Sequence, residues 1–364
     1  MNPAKWLVIT LSLIAVFLAV IVSFNFYEDS YGVRKSLFTL DKDKDISYML
    51  YPDAINQHIF NPEYIFRHPD RFDSFIFGSS RVAVINPTKI NKGNFYNMSY
   101  SQGLPSQHLA IIKAFLRKGI KIKTVMIGLD EFCFAVSAEE YKNQLIRIMH
   151  PDISGQSRVK IFLLYFFRKP NLFEVANAKN KLLHDKQEGR FVLDKNGLNL
   201  GWLNKEKIIN AIQKPIFSGE MPRYAPIAYD PQEVDRSIRA IEDLVNLSKM
   251  NNFSLILFFN PINARLYLNY ANQLMSIKER LTLITDYYDF SGFNSVTTND
   301  VNYYEEGHYR YLVGDLIIKR IYDLGNITIP QDFGVWITKR NIRRHIENQK
   351  RELAYYLADY EKKK

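Results

Sequence analysis

The sequence predicts an α/β protein built around a parallel β-sheet. Short apolar runs of strand length recur along the chain, separated by longer stretches with apolar residues at helical spacing. This alternation is typical of βαβ units, whose strands are parallel. The first run, 75–77, ends abruptly in Gly78, Ser79, Ser80 and Arg81. Ligands bind at the carboxyl edge of such sheets, so these small polar residues mark a candidate site.

Composition excludes several classes of protein. The 364 residues are 47% hydrophobic and 14% aromatic, which is enough for a sizeable core. The formal net charge of +10 suits an anionic partner such as phospholipid headgroups or an acidic polysaccharide. No zinc finger, RNA-binding signature or long basic arm is present, which argues against nucleic acid.

The cysteine and histidine patterns predict no metal and no cofactor. Cys133 is the single cysteine, so an intrachain disulfide and a cysteine metal cluster are both ruled out. Its phenylalanine neighbours predict that it is a small buried apolar residue. The seven histidines are dispersed, and the chain has no nucleotide-binding glycine loop.

Residues 1–27 are predicted to form a short cytoplasmic start and a single transmembrane anchor. The stretch 6–27 is almost wholly apolar and long enough to cross a bilayer. Lys5 precedes it and Glu28 and Asp29 follow, so the positive-inside rule predicts a cytoplasmic N-terminus and a periplasmic or extracellular main domain. A cleaved signal peptide is the alternative. The anchor is favoured because the apolar core is longer than in most signal peptides and no small-x-small cleavage site follows it.

The first part of the core is predicted at 72–134, after a stalk and lead-in at 28–71 to which no chemistry is assigned. The lead-in contains a charged turn at 41–45. Within the core, apolar runs predict strands and a helical period predicts one helix between them. The strands are expected at 75–77, 95–98 and 123–130, and the helix at 107–118.

Residues 135–230 interrupt this rhythm and are predicted to form a largely helical insertion or lid. Its run 161–167 (IFLLYFF) is strongly apolar, too short to span a bilayer, and flanked by Lys160 and Arg168. Burial inside the insertion is favoured. The alternative is that the run dips into the outer leaflet beside the anchor, with its cations at the headgroups. A small hairpin is also predicted at 188–203 with its turn at 195–197, and a returning loop at 221–231.

The second part of the core is predicted at 231–330, where the α/β rhythm resumes. Its helices are expected at 231–251, 266–281 and 308–324, and its strands at 254–259 and 283–290. The tail, 331–364, is rich in Arg, Lys, Glu and Tyr and predicts a basic helix. A solvated amphipathic helix is favoured there over a helix that contacts headgroups or a partner.

Glu305 and His308 stand just before the last core helix and form a candidate acid–base pair. They are three residues apart, so in a turn entering a helix both side chains can face the same way. A carboxylate on one imidazole nitrogen fixes the tautomer and leaves the other nitrogen to take a proton from a serine. Ser80 is the candidate serine. The structural alternative is that Glu305 merely stabilises a helix N-terminus.

An ordered set of motifs resembles the SGNH/GDSL hydrolase superfamily. The set comprises 77–81 (FGSSR), Pro87, 96–99 (YNMS) with Gly103, 127–132 (IGLDEF), 288–292 (YDFSG) and 304–310 (YEEGHYR). More narrowly, the chain is similar to membrane-anchored, extracytoplasmic relatives of the proteins that accompany membrane-bound O-acyltransferases in teichoic-acid D-alanylation and alginate acetylation. The resemblance covers roughly 72–134 and 231–325. It implies a three-layer, flavodoxin-like SGNH-type parallel sheet with helices on both faces.

The resemblance implies a role for each matched residue of a catalytic triad. Ser80 matches the nucleophile, and Ser79 takes the place of the aspartate in the Gly-Asp-Ser type motif. His308 matches the general base and Glu305 the acid that orients it, where many relatives have aspartate. This serine mechanism requires no cofactor.

The same resemblance places Gly78, Ser99, Gly103, Asp130 and Arg81 around the oxyanion and the substrate. The donors of the oxyanion hole would be the backbone N–H of the nucleophile and groups from the second and third motifs. Ser99 stands where a glycine is usual, and Asp130 where an asparagine donor is usual. An ionised Asp130 would repel an oxyanion, so it is expected to point away, to be protonated or to bind a cationic group. Arg81 is expected to pair with Asp130, with an anionic substrate group as the alternative.

Three functions remain open from the sequence, and an enzyme is favoured. The leading hypothesis is a membrane-anchored serine acyl-esterase or O-acyltransferase acting on a cell-envelope polysaccharide or a lipid-linked glycan. The second is a non-catalytic SGNH-like partner that binds or presents the polymer of a membrane-bound O-acyltransferase. The third is a surface protein that uses some of the 23 tyrosines as sugar-binding platforms.

Overall fold

The computed structural model describes residues 2–38, 55–141, 144–170, 172, 174–176, 193–216, 228–323 and 328–362. Some predictions fall on other residues. Outside the described residues lie the charged turn at 41–45, residues 188–192 of the hairpin predicted at 188–203, most of the loop at 221–231, and residue 324 at the end of a predicted helix.

The helices and strands are numbered here in chain order. The α-helices are α1 (Pro3–Glu28), α2 (Gln57–Arg67), α3 (Pro105–Arg117), α4 (Pro151–Ser154), α5 (Arg158–Phe166), α6 (Leu203–Ile212), α7 (Pro231–Met250), α8 (Ala264–Tyr267), α9 (Ala271–Leu281), α10 (Tyr311–Tyr322) and α11 (Ile342–Lys362). The strands are β1 (Ser74–Phe77), β2 (Phe95–Asn97), β3 (Thr124–Leu129), β4 (Ser254–Phe259), β5 (Tyr287–Asp289), β6 (Tyr303–Glu305), β7 (His308–Tyr309) and β8 (Val335–Ile337).

The chain divides into two compact units, which are described separately. The larger comprises His68–Glu140 and Leu193–Lys364. It contains a six-stranded sheet in the order β2-β1-β3-β4-β5-β8, in which the first five strands are parallel and β8 runs antiparallel to β5. The predicted α/β class and parallel sheet are therefore confirmed. The antiparallel edge strand β8 corrects the expectation that the tail is helical throughout.

Alternation along the strands builds a core on each face of the sheet. On β1, Phe75 points to one face and Ile76 to the other, because successive side chains in a strand alternate. Phe75 packs on Phe115 of α3, with ring centroids 5.1 Å apart. Ile76 belongs to a buried cluster that includes Val313 of α10. Helices therefore cover both faces of the sheet.

The strand order places a crevice between β1 and β3. The parallel strands follow the order 2-1-3-4-5, so the chain winds in opposite directions on the two sides of the β1–β3 pair. In doubly wound sheets, ligands bind at such a switch point, outside the carboxyl ends of the strands. Residues 78–81, which follow β1, and Asp130, which follows β3, lie at this edge.

Two predicted helices differ from those in the structure. The helix expected at 308–324 begins only at Tyr311, because Tyr303 and Tyr309 form a buried cross-strand pair in the β6–β7 hairpin. The chain therefore turns back on itself before the helix can start. The helix expected at 266–281 is divided into α8 and α9 by a turn at 268–270.

The smaller unit comprises Met1–Arg67 and Tyr141–Val192. Its helix α1 is long and apolar enough to cross a membrane, and the described chain buries none of its most apolar window. A π-helical turn (Arg34–Phe38), α2 and α5 surround a core that includes Val33, Ile59, Ile161, Tyr165 and Phe166. The apolar run at 161–167 is thus only partly buried. One side of the run lies in the core, as the favoured interpretation expected, while Leu163 and Phe167 are exposed.

Candidate active site

Ser80 lies in a tight turn directly after β1. Gly78 has a φ of 152°, which side chains rarely adopt, and a Cβ there would lie 2.8 Å from Val82. The backbone N–H of Val82 donates to the Ser79 carbonyl, and that of Ala83 to the Ser80 carbonyl. The turn therefore fixes the Ser80 hydroxyl at the carboxyl edge of the sheet.

His308 reaches this hydroxyl from the β6–β7 hairpin. The His308 Nε2 atom lies 2.8 Å from Ser80 Oγ, across 228 positions of sequence. Its Nδ1 atom lies 2.5 Å from Glu305 Oε1. Glu305 and His308 are cross-strand partners in the hairpin, not neighbours on a helical turn as the sequence suggested. The hairpin gives the same outcome because directly opposed residues lie on one face.

These contacts define a proton path from Ser80 to His308. Since a carboxylate accepts only, His308 Nδ1–H donates to Glu305, and Nε2 is then the acceptor for the Ser80 O–H. The hydrogen bond from His308 lowers the pKa of Glu305, so this carboxylate stays ionised. The side chains of His308 and Glu305 are 23% and 51% exposed, so the pair is open to solvent and substrate. Chemically, the arrangement can activate a serine hydroxyl for attack on an acyl group.

Arg81 holds the hairpin against the carboxyl end of β3. Its Nε donates to the Gly307 carbonyl at 2.7 Å, immediately before His308. Its Nη1 donates to Asp130 at 2.8 Å, and its Nη2 to Glu131 at 2.7 Å. The expected Arg81–Asp130 pair is therefore present, and Glu131 joins it. All three side chains are buried, so Arg81 is committed to this cluster.

Burial and charge act against each other within this cluster. Burial disfavours the charged guanidinium, but Glu131 and Asp130 outweigh it and raise the pKa of Arg81 above its usual range. Burial raises the pKa of Asp130. The neighbouring Glu131 raises it further, whereas Arg81 lowers it. Asp130 Oδ1 also accepts from Asn260 Nδ2 at 2.9 Å. The Oδ1 atom of Asp130 therefore accepts hydrogen bonds from both Arg81 and Asn260.

The groups expected to form an oxyanion hole have different environments. Among the described residues, the Ser80 backbone N–H donates to no acceptor within the chain. The Ser99 backbone N–H instead donates to Asn97 Oδ1 at 3.0 Å, so in this conformation it is committed to its own turn. Gly103 packs against Gly78, since a Cβ at Gly103 would lie 2.6 Å from the Gly78 carbonyl oxygen. Ser80 N–H is therefore the donor best placed to meet a substrate.

Trp202 is a neighbour of the site that the sequence did not indicate. Its ring centroid lies 5.3 Å from that of His308. The ring also stacks on Tyr304, with centroids 4.9 Å apart and an interplanar angle of 4°. Lys205 Nζ lies 4.5 Å from the Trp202 ring centroid. Because these two residues come from the predicted insertion, no strand-end motif marks them. Asn260, by contrast, directly follows the strand β4, and that position is a signal the sequence did contain.

Other residues near the site have structural partners. Cys133 is buried as predicted, and its thiol donates to the Gly103 carbonyl. Arg310 donates to Glu206 Oε1 at 2.7 Å, which ties α6 to the start of α10. Within the described part of the chain, no group of three or more His, Cys, Asp or Glu residues is placed to hold a metal ion.

Comparison with known proteins gives no further identification. The chain matches no protein-family model, and no curated protein matches it.

Proposed function

We propose that the chain is a membrane-anchored, extracytoplasmic serine esterase or O-acyltransferase of the SGNH/GDSL type. The single observation that carries the proposal is the 2.8 Å contact between Ser80 Oγ and His308 Nε2. Glu305 on the other imidazole nitrogen completes a Ser–His–Glu triad. The strand order, with Ser80 after β1 at the switch point, supports a ligand site at this edge.

The first half of the reaction forms an acyl-serine. Ser80 Oγ attacks the acyl carbonyl carbon of an ester while its proton passes to His308 Nε2. The carbonyl oxygen becomes an oxyanion, which the Ser80 backbone N–H can stabilise. Collapse of this intermediate breaks the bond to the alcohol oxygen, and the alcohol leaves with the proton from His308.

The second half regenerates the serine. His308 takes a proton from water or from a hydroxyl group of a glycan, and the resulting nucleophile attacks the carbonyl carbon of the acyl-serine. Collapse of this second intermediate breaks the acyl bond to Ser80 Oγ, which takes the proton back from His308. Water gives an esterase, and a glycan hydroxyl gives an acyltransferase. Glu305 stays ionised throughout and stabilises the imidazolium formed in each half.

The proposed substrate class rests on the motif resemblance, the anchor and the charge. Helix α1 would hold the domain at the membrane, with its N-terminus in the cytoplasm and the main domain in the periplasm or outside the cell. The net charge of +10 favours an anionic surface. With the motif resemblance, these features favour an acylated cell-envelope polysaccharide or lipid-linked glycan as substrate, and the resemblance implies a membrane-bound O-acyltransferase as the candidate partner.

A serine-reactive fluorophosphonate tests the chemistry directly. We expect the full chain in detergent to be labelled at Ser80, to hydrolyse a small acetate ester, and to lose both properties in Ser80→Ala. Ser295→Ala is the matched control, because Ser295 is an exposed serine bonded to Asp332 with no histidine partner. Equal labelling and hydrolysis by Ser80→Ala and the wild type would refute the serine mechanism.

A non-catalytic role is the second candidate, because Asp130 replaces the usual asparagine donor. In that case the protein would bind or present the polymer of a membrane-bound O-acyltransferase. A wild-type chain that resists the probe, and that binds the polymer as well as Ser80→Ala does, would favour this role. Polymer-dependent ester turnover that requires Ser80 would exclude it.

A further inference from the structure

We propose that one face of α5 lies in the outer leaflet of the same bilayer that α1 crosses. This inference rests on α1 as a membrane anchor and not on the serine chemistry. The occupant of the face is lipid, with acyl chains against its apolar side chains and headgroups at its ends. Both helices belong to the smaller unit.

Helix α5 exposes an apolar stripe although it belongs to an apolar core. Ile161, Tyr165 and Phe166 are buried. Val159 and Leu163, one turn apart and on the side away from Ile161 and Tyr165, are 68% and 48% exposed, and Phe167 continues the same spacing at 44%. These three residues are called here the α5 stripe. Since large apolar side chains gain from leaving water, a continuous stripe of this kind indicates a contact surface.

The buried side of α5 is fixed to the end of α1. Asn25 Nδ2 donates to the carbonyls of Phe166 and Arg168, at 2.9 and 2.7 Å. Phe26 packs against the rings of Phe162 and Phe166, with centroids 6.3 and 5.2 Å away. The position of α5 is therefore set by the last turns of the apolar helix.

Helix α5 packs against α1 at the point where α1 would leave the hydrocarbon core of the membrane. A hydrocarbon core of about 30 Å takes about 20 helical residues. Counted from Trp6, where an aromatic residue suits the cytoplasmic interface, the far boundary falls close to Phe26. Because α5 packs at Asn25 and Phe26, the α5 stripe lies at the depth where headgroups meet acyl chains.

The charges at the two ends of α5 complement a headgroup layer. Lys160 lies near its start and Lys169 just beyond its end, and both are exposed. Arg158 and Arg168 are held by protein contacts, to the Leu37 carbonyl and to Glu174 respectively. An apolar stripe between exposed lysines is typical of helices that lie in a membrane interface. A protein partner would not require lysines at both ends, so lipid is the occupant that the surface favours.

Fluorophores at single engineered cysteines measure this contact in the full chain. The test uses nanodiscs of anionic lipid and a Cys133→Ser background, because Cys133 is the single native cysteine. The test position is Leu163→Cys. Val16→Cys, in the middle of α1, is the reference for lipid contact, and Leu283→Cys, an exposed apolar position 71% accessible in the larger unit, is the reference for water. Nitroxides carried on lipid chains and iodide in the buffer serve as the two quenchers.

We expect the Leu163 label to be quenched by a nitroxide near the headgroup and shielded from iodide, while the Leu283 label behaves oppositely. The Val16 label should respond most to a nitroxide near the chain end. Iodide quenching of Leu163 equal to that of Leu283 would overturn the proposal. Shielding from both quenchers would also overturn it, since a protein would then cover the stripe. A Val16 label that no lipid nitroxide quenches would remove its basis, without bearing on the Ser80 chemistry.

Discussion

Two carboxylate–histidine pairs in this molecule share one motif and differ in what the second imidazole nitrogen does. His308 is bonded to Glu305 and His150 to Glu63, at 2.5 and 2.7 Å. In the first pair, the remaining nitrogen faces the Ser80 hydroxyl. In the second, His150 Nδ1 accepts the backbone N–H of Asp152, at the start of α4.

The difference shows that a carboxylate–histidine pair is not sufficient to form a candidate catalytic site. His150 is fully buried, and both of its nitrogens are used in holding the fold. Hydrogen bonds from His150 and Arg67 outweigh burial and lower the pKa of Glu63, so this carboxylate is a buried, satisfied anion. In the Glu305 pair the same chemistry is half exposed, and one nitrogen is left for a reacting group. Exposure and the partner of the free nitrogen separate a candidate catalytic pair from a structural one.

In a third carboxylate–histidine pair, His345 with Asp289, the carboxylate is fully buried. Asp289 Oδ2 accepts from His345 Nε2 at 2.7 Å and from Lys278 Nζ at 2.7 Å. The side chains of Asp289 and Lys278 are completely buried. This pair joins α11 to the carboxyl end of β5 and α9. Its role is to fix the C-terminal helix, which the sequence suggested was merely solvated.

The largest contrast is expected between His308→Gln and His150→Gln. His308→Gln should lower kcat for ester hydrolysis about 10³–10⁴-fold, because the serine loses its base. His150→Gln should leave hydrolysis unchanged and lower the free energy of unfolding by about 1–3 kcal/mol, since a buried hydrogen bond is lost. Ester kinetics and thermal unfolding of the two variants measure both effects. A similar loss of kcat in both variants would mean that the geometry around the second nitrogen does not decide function.

The next largest effect is expected from the buried pair, in Asp289→Asn. This change leaves Lys278 buried without its counter-ion, which should cost about 3–5 kcal/mol of unfolding free energy. Asp235→Asn is the matched control, because the Asp235–Arg280 pair is exposed and should contribute less than about 1 kcal/mol. Thermal unfolding followed by tryptophan fluorescence compares the two. Equal losses in Asp289→Asn and Asp235→Asn would contradict the assignment of Asp289 as a fixing charge.

The buried Asp289 carboxylate also predicts that the free energy of unfolding depends on pH. Burial opposes ionisation of Asp289, but Lys278 and His345 hold its pKa far below the usual value of 3.8. The stabilisation is therefore present above about pH 4 and is lost as the pH falls, at up to about 1.4 kcal/mol per pH unit. Between about pH 4 and about pH 2, the free energy of unfolding of Asp289→Asn should therefore fall less steeply with decreasing pH than that of the wild type.

The smallest of the expected contrasts comes from Glu305→Gln. The amide keeps contact with His308 but cannot stabilise the imidazolium, so kcat should fall about 10²-fold, or about 2.7 kcal/mol. The loss is smaller than for a buried carboxylate because Glu305 is 51% exposed. Glu306→Gln, one residue away and not hydrogen-bonded to His308 in the described part of the chain, should change kcat by less than about twofold. An unchanged kcat in Glu305→Gln would reduce this carboxylate to a structural residue of the hairpin.

Local patterns in the sequence predicted the sheet well and the hairpin poorly. The strand at 254–259 was predicted with its observed bounds, and β1, β2 and β3 to within about one residue at each end. These segments are buried runs whose side chains alone demand a strand. His308 was assigned to a helix because apolar residues follow it at helical spacing. The buried Tyr303–Tyr309 pair, a contact between two short strands, prevented that.

The partners of the site residues show the same division. Pairing of Arg81 with Asp130 was expected from opposite charges near two strand ends, and it is present. The second carboxylate, Glu131, and the Arg81 bond to Gly307 were not expected, because they depend on how the β3 end and the hairpin approach each other. Trp202 beside His308 belongs to the predicted insertion, about a hundred positions from the hairpin, and no motif connects them.

By itself the sequence determined where strands end and which side chains of chemical interest stand there. Those properties are local, because apolar runs and small polar residues act over a few positions. Only the tertiary structure decided that the Ser80 hydroxyl contacts the second imidazole nitrogen of His308, and that both nitrogens of His150 are hydrogen-bonded within the fold. It also decided that α5 exposes an apolar stripe. Each of these depends on which distant surfaces pack together, since burial and hydrogen-bond partners are properties of the folded arrangement and not of the chain order.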